Sequence, residues 1–200
     1  MKKTLLSVFP RKFLFLLVAL VSLPSMAGAH TLSGGTAGIA GGFFHPLHGL
    51  DHVLAMVAVG LWAAQMGRRA IWAVPCSFVG VMALGGALGF DGVPLPFVEQ
   101  GILGSVLILG LLLAAAIRLP LLSSMILVGF FAIFHGHAHG TEMAATSSVI
   151  PYAIGVLFTT ALLHACGIAI ALKAQKPVWI PLVRYAGIVI VAGGGFFFFH

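Results

Sequence analysis

Long apolar segments separated by short polar turns make up most of this chain, and few folds accommodate such a pattern. Only 7% of the residues are charged, against about 25% in soluble domains. Each segment is close to the ~20 residues that a helix needs to cross a bilayer. Because backbone groups in lipid must form their hydrogen bonds internally, the segments are expected to be helices. The sequence therefore predicts an all-α polytopic membrane protein. Its predicted spans are residues 46–66, 71–90, 98–117, 120–138, 150–172 and 179–199.

The N-terminus has the layout of a secretory signal peptide. Basic residues precede an apolar run at 13–23, and Ala27-Gly28-Ala29 follows shortly afterwards. A basic segment, a short apolar run and an A-x-A site are typical of signal peptides. The apolar run is also shorter than the ~20 residues of a span, which disfavours an uncleaved first helix. We therefore expect residues 1–29 to be removed and residues 30–200 to form one transmembrane domain of six helices.

The basic residues outside the signal peptide are distributed unevenly over the predicted loops. Cleavage leaves the mature N-terminus outside, so alternate loops face the cytoplasm. These loops hold Arg68, Arg69, Arg118, Lys173, Lys176 and Arg184. This distribution agrees with the positive-inside rule and predicts an extracytoplasmic C-terminus at His200. The basic pI of about 9.9 comes mostly from the signal peptide, so no nucleic-acid partner is implied.

The stretch His45-Pro46-Leu47-His48-Gly49-Leu50-Asp51-His52 contains the first candidate metal ligands. On a continuous α-helix, His45, His48, Asp51 and His52 would share one face. Imidazole suits Ni²⁺, Co²⁺, Cu²⁺ and Zn²⁺, and a carboxylate supplies neutralising charge. The alternative is an ordinary helix start with Pro46 at the first helical position. Ionisable residues at the edge of a span are usually functional, which favours a metal site.

A second cluster reads Phe-His-Gly-His-Ala-His-Gly-Thr-Glu over residues 134–142. If this stretch is helical, His135, His139 and Glu142 share a face and His137 points away, although it remains a further candidate. In a loop, all three histidines would face water as a shallow metal-collecting patch. The first predicted span runs inward from the outer face and the fourth returns to it. We therefore expect the two clusters to lie at similar depth and to form one site.

The remaining candidates are isolated. His164 lies deep in the fifth span, one helical turn after Thr160, where it is either a relay position on an inward route or a histidine hydrogen-bonded across helices. Cleavage would make His30 the N-terminal residue, whose α-amine and imidazole either chelate a metal or form a free terminus. Cys76 and Cys166 form no disulfide framework and are expected to be small core residues.

The two clusters, the signal peptide that ends at a histidine and the six-span plan resemble the HupE/UreJ family of nickel and cobalt permeases. The specific motifs are His45-Pro46-x-x-Gly49-x-Asp51-His52 and Phe134-His135-Gly136-His137-Ala138-His139-Gly140-x-Glu142. The resemblance covers essentially the whole mature chain. It implies secondary uptake of Ni²⁺ or Co²⁺ across the bacterial inner membrane. The metal would then be cargo, with no prosthetic group and no enzymatic activity.

Two other functions are compatible with the same histidines. A membrane metalloenzyme would keep a fixed metal with an open coordination position, whereas a sensor or metal-loading partner would bind an ion without moving it. The chain has no G-x-x-x-x-G-K-[ST] motif and hence no ATPase motif of this type. The sequence therefore favours uptake driven by an ion gradient, by the membrane potential or by a separate protein.

Overall fold

The computed structural model describes residues 38–67, 69–143, 148–174 and 180–199, and these residues form helices without any strand. The helices are α1 (Ile39–His48), α2 (Leu50–Met66), α3 (Ala70–Phe90), α4 (Val98–Ala114), α5 (Leu121–Thr141), α6 (Val149–Lys173) and α7 (Ile180–Phe199). The all-α prediction is confirmed for this part of the chain. The predicted signal peptide and the residues His30, Arg68, Lys176 and His200 lie outside the described residues.

Each of the last five predicted spans overlaps one helix, whereas the first, 46–66, is divided between α1 and α2, and the helices differ in length. Three of them, α3, α5 and α6, are long and apolar enough to cross a membrane. The pair α1 and α2 would make a fourth candidate if the two count as one broken span. The apolar helices α4 (17 residues) and Pro181–Phe197 within α7 are shorter.

The predicted continuous helix through the first motif is wrong. Gly49 has an extended conformation (φ −92°, ψ 106°) that ends α1 and begins α2, and the two helices are bent by 90°. Pro46 lies inside α1 rather than at a first helical position. Proline removes a helical hydrogen bond and glycine is a weak helix former, so the helix breaks at this point. His45 and His48 are consequently on α1, whereas Asp51 and His52 are on α2.

Glycines bring neighbouring helices into backbone contact around this break. A Cβ atom at Gly42 would collide with the carbonyl oxygen of Tyr152, and one at Gly155 would collide with that of Ile39. Helix α1 therefore packs directly on α6. Gly136 and Gly140 meet the backbone of α3 in the same way, as is common between transmembrane helices. These contacts hold α1 against α6 and α5 against α3 near the break.

The helices have a motif end and a basic end, which we name by the residues found there. At the basic end, the indole Nε1 of Trp62 donates to the carbonyl of Ile117 over 2.8 Å, and the guanidinium Nε of Arg184 donates to the carbonyl of Ala114 over 2.8 Å. The other basic residues at this end of the described chain are Arg69, Arg118 and Lys173. The opposite, motif end contains the first turn of α2 and the last turn of α5, which include Asp51 and Glu142.

The predicted burial of the two cysteines is wrong. Cys76 and Cys166 are both exposed on the outside of the helices. A helix that faces lipid buries its polar residues against other helices and can present apolar ones outward, and cysteine behaves as a small apolar residue. Trp72, for example, is 74% exposed, whereas His135 is fully buried.

Candidate metal centre

Three residues from both motifs meet at the motif end. His45 on α1, His139 on α5 and Glu142, which directly follows α5, each offer a ligand atom, and these atoms lie within 4.8 Å of one another. His45 Nε2 is 2.9 Å from Glu142 Oε2, and the rings of His45 and His139 have centroids 5.1 Å apart. We call this group the outer triad. Its donors are two imidazoles and a carboxylate, a set that suits divalent transition metals.

The imidazoles continue inward from the outer triad. The ring of His139 lies 4.6 Å from the ring of His52, and the ring of His52 lies 4.7 Å from that of His135, measured between centroids. We call His45, His139, His52 and His135 the imidazole column. The column alternates between residues of the first and the second motif. The prediction that the two motifs lie together is thereby confirmed. The first motif, however, is divided between two helices, α1 and α2, and does not lie on one straight helix.

Asp51 acts on the column through His52. Its Oδ1 lies 3.0 Å from the ring Nδ1 of His52 and accepts the backbone N–H of the same residue over 2.8 Å. An ionised carboxylate can only accept a hydrogen bond, so Nδ1 of His52 carries the proton. The other ring nitrogen, Nε2, then keeps its lone pair. Nε2 is buried and has no hydrogen-bond partner among the described residues. Asp51 therefore orients His52 with a donor atom free for a metal.

Ser105 on α4 orients His135 in a similar way. The serine hydroxyl donates to the carbonyl of Ile102 over 2.6 Å, which leaves its oxygen to accept from Nε2 of His135 over 2.9 Å. The lone pair of His135 then lies on Nδ1, which has no partner in the part of the chain that the structure describes. Ser105 could not be predicted from the sequence. A lone serine in an apolar helix carries no signal, and its role depends on how α4 packs against α5.

His139 lies where the outer triad joins the rest of the column. It is 4% exposed, and neither of its ring nitrogens has a hydrogen-bond partner within the described ranges. Buried polar atoms are nearly always hydrogen-bonded in folded proteins. An imidazole with both nitrogens unpaired between two other histidines, His45 and His52, is therefore suited to receive an ion.

Two predicted ligands lie away from the column. His48 is exposed on α1 and forms no hydrogen bond or ring contact with any described residue. His137 is buried, and its Nε2 donates to the carbonyl of Val93 over 2.8 Å. The prediction that His137 points away from its helical neighbours is confirmed, and its contact ties α5 to the loop after α3.

Two aromatic residues contact the histidines of the column, and neither was predicted from the sequence. Tyr152 on α6 lies 5.7 Å from the ring of His45, and Phe78 on α3 lies 5.6 Å from that of His135. Phe78 also contacts the ring of His164 at 5.1 Å. Aromatic residues are common within apolar helices, so neither of these two could be selected from the sequence alone.

A cavity of about 210 Å³ lies between α3, α5 and α6 and reaches the outer part of the column. His139 and Tyr152 line it together with apolar side chains that include Met82 and Met143. The buried end of the outer triad is therefore bordered by empty space rather than by tightly packed side chains.

Comparison with known proteins places these features in one family. The family model described as HupE / UreJ protein matches residues 18–197. Protein HupE of Rhizobium leguminosarum bv. viciae is 43% identical over 177 residues, which cover 88% of this chain and 92% of that protein. No solved structure is significantly similar to the chain.

Proposed function

The chain belongs to the HupE/UreJ family, and on that premise we propose that it is a secondary transporter for a divalent transition metal, Ni²⁺ or Co²⁺. It would take up the ion across the bacterial inner membrane through the outer triad and the imidazole column. The ion is cargo rather than a resident cofactor. During transport, the ion would pass through the interior of a helical bundle embedded in the lipid bilayer.

The observation that carries this proposal is the outer triad and its continuation inward. The side chain of Glu142 is 51% exposed and pairs with His45, whereas His139, the third member, is buried. An ion can therefore exchange water for protein ligands one at a time as it moves from Glu142 towards His139. Imidazole nitrogens suit Ni²⁺ and Co²⁺, and the carboxylate supplies the charge that attracts a cation.

The basic residues support an orientation in which the motif end is extracytoplasmic. Arg69, Arg118, Lys173 and Arg184 all belong to the opposite end of the described helices, in agreement with the positive-inside rule. We propose six spans, with the mature N-terminus and the C-terminus outside. A membrane potential of about 100 mV, negative inside, would then favour inward movement of a divalent cation by roughly 4.6 kcal/mol, from ~2.3 per charge.

Reconstituted uptake tests the function directly. The purified protein in proteoliposomes with an inside-negative potential is expected to accumulate radiolabelled Ni²⁺ or Co²⁺, and protein-free liposomes are not. His139→Ala should lower the initial rate about tenfold or more, because it removes the junction of the column. His48→Ala is the matched control, since this histidine lies on the same helix as His45 but outside the column.

The same experiment separates transport from the other two functions. A metalloenzyme would retain stoichiometric metal through purification and turn over a substrate, and a sensor would bind metal at equilibrium. Neither would raise the ion content of the liposome interior. Binding without accumulation in liposomes that hold a potential would overturn the transport proposal.

A further inference from the structure

We infer that His164 is a second metal-binding station, deeper than the outer triad, on the route of the transported ion. This inference rests on the proposed function and extends it. The station lies next to the inner end of the imidazole column, and the ring of Phe78 contacts both His164 and the innermost histidine of the column, His135. That ring contacts His135 at 5.6 Å and His164 at 5.1 Å, measured between centroids.

The depth of His164 follows from its contact with α2. A Cβ atom at Gly60 would collide with the carbonyl oxygen of His164, so the two backbones touch there. Gly60 follows His52 on the same helix by a distance of about 12 Å, from 1.5 Å per residue. The backbone of His164 therefore lies well inside the bundle, closer to the basic end than that of His52.

The imidazole of His164 is buried without a hydrogen-bond partner. The residue is 1% exposed, and within the described residues neither Nδ1 nor Nε2 has a partner. A histidine hydrogen-bonded across helices, one of the two interpretations open from sequence, is therefore not what the structure contains. A buried imidazole usually forms at least one hydrogen bond, whereas a nitrogen that binds a passing ion must keep its lone pair available.

Other neutral donors accompany His164 between α3 and α6. Thr160 lies one helical turn before His164 on the same face, and its hydroxyl is 3.6 Å from the thioether sulfur of Met82. Met82 in turn lies one helical turn after Phe78. All three polar groups are almost completely buried: His164, Thr160 and Met82 are at most 1% exposed.

The chemistry of these donors fits a station that releases its ion. Imidazole, hydroxyl and thioether groups carry no charge, in contrast to the outer triad with Glu142. A divalent cation should therefore bind more weakly at His164 than at the triad, in agreement with the requirement that a conducting site must let its ion leave. The ion would be captured at the charged outer triad and passed to the neutral inner station.

Two variants of His164 test the inference by different measurements. His164→Leu should lower the initial rate of Ni²⁺ uptake into proteoliposomes about tenfold or more, while Ni²⁺ affinity at the outer triad stays within about twofold of wild type. The thermal midpoint of this variant should be unchanged or higher, because the substitution removes a buried imidazole that has no hydrogen-bond partner among the described residues. Cys166→Ala, on the same helix but exposed, is the control and should resemble wild type in all three measurements.

The second variant reports on metal at this position whether or not transport occurs. In His164→Cys, Co²⁺ titrated into the purified protein should produce a thiolate-to-Co²⁺ charge-transfer band, because a thiolate replaces the imidazole as ligand. Wild type, whose Cys76 and Cys166 are exposed on the outside of the helices, should give none.

Uptake by His164→Leu within about twofold of wild type, or no cobalt band in His164→Cys, would overturn the inference. Failure of wild-type protein to take up metal would instead contradict the proposed function. A cobalt band in His164→Cys together with normal uptake by His164→Leu would also overturn the inference. Metal could then bind at this position, but transport across the membrane would not depend on it.

Discussion

At the scale of single residues, the arrangement depends on which nitrogen of each histidine is free. Asp51 and Ser105 each hold one nitrogen of a column histidine, His52 and His135 respectively, and leave the other unpaired and buried. Such partners of metal-binding histidines fix ring orientation and tautomer. The sequence predicted Asp51 as a direct ligand, whereas the structure has it hydrogen-bonded to His52.

Removing the hydroxyl of Ser105 should weaken metal binding or uptake without removing any metal ligand. In Ser105→Ala, the ring of His135 loses the acceptor for its Nε2 proton, so we expect metal affinity or uptake to fall about 10- to 100-fold, as for other partners of metal ligands. Ser105→Thr keeps the hydroxyl and should retain most of the activity. The measurement is the concentration dependence of Ni²⁺ uptake, and equal losses in both variants would contradict a role for the hydroxyl.

At the scale of elements, the break between α1 and α2 brings the outer triad together. It turns α1 by 90° so that His45 meets Glu142, which lies at the end of α5. The sequence predicted a helix at each motif because the apolar periods and ligand spacings are local signals. It could not predict the break, because proline and glycine are both tolerated within membrane helices when neighbouring helices compensate. Whether Gly49 bends the chain depends on the packing of α1 against α6.

Adding a side chain at the break should disturb the column. A Cβ atom at Gly49 would lie 2.8 Å from Nδ1 of His52 and 2.9 Å from Oδ1 of Asp51, so Gly49→Ala is expected to displace this pair and lower uptake several-fold or more, as when a partner of a metal ligand is lost. Gly80→Ala is the matched control, because a Cβ atom there has nothing within 4 Å. Uptake that is equal in the two variants at matched abundance would contradict the role assigned to the break.

At the scale of the whole molecule, the two ends of the bundle differ in charge, since the basic residues lie at one end and Asp51 and Glu142 lie at the other. Hydropathy and the positions of basic residues were enough to predict helices, their order and the meeting of the two motifs. They could not predict which residues are buried, because in a membrane protein the apolar side chains face outward as well as inward. Cys76 and Cys166 are therefore exposed while His135 and His164 are buried, the reverse of what hydropathy indicates in a soluble domain.

The proposed orientation of the bundle predicts a topology that fusion reporters can measure. A periplasm-active reporter fused after His200 should be active, and one fused near Lys176 should be active only in a form that works in the cytoplasm. The physical reason is the location of the basic residues at one end of the helices. Fusions to a variant with Lys173 and Lys176 replaced by Gln are a useful comparison, since they weaken that signal. The reverse pattern at either site would contradict six spans with both mature termini outside.

The central claim is that the two motifs build one path for one ion, and a double-mutant cycle tests it most directly. Initial Ni²⁺ uptake rates are compared at matched membrane abundance for wild type, Asp51→Asn, Glu142→Gln and the double variant. Each carboxylate supports one histidine of the same column, through His52 and His45 respectively. Each single change should therefore remove most uptake, and the double variant should be little worse than either one, as expected for residues in one network. Independent, multiplicative losses would contradict a single site, and full uptake in both single variants would remove the two motifs from the mechanism.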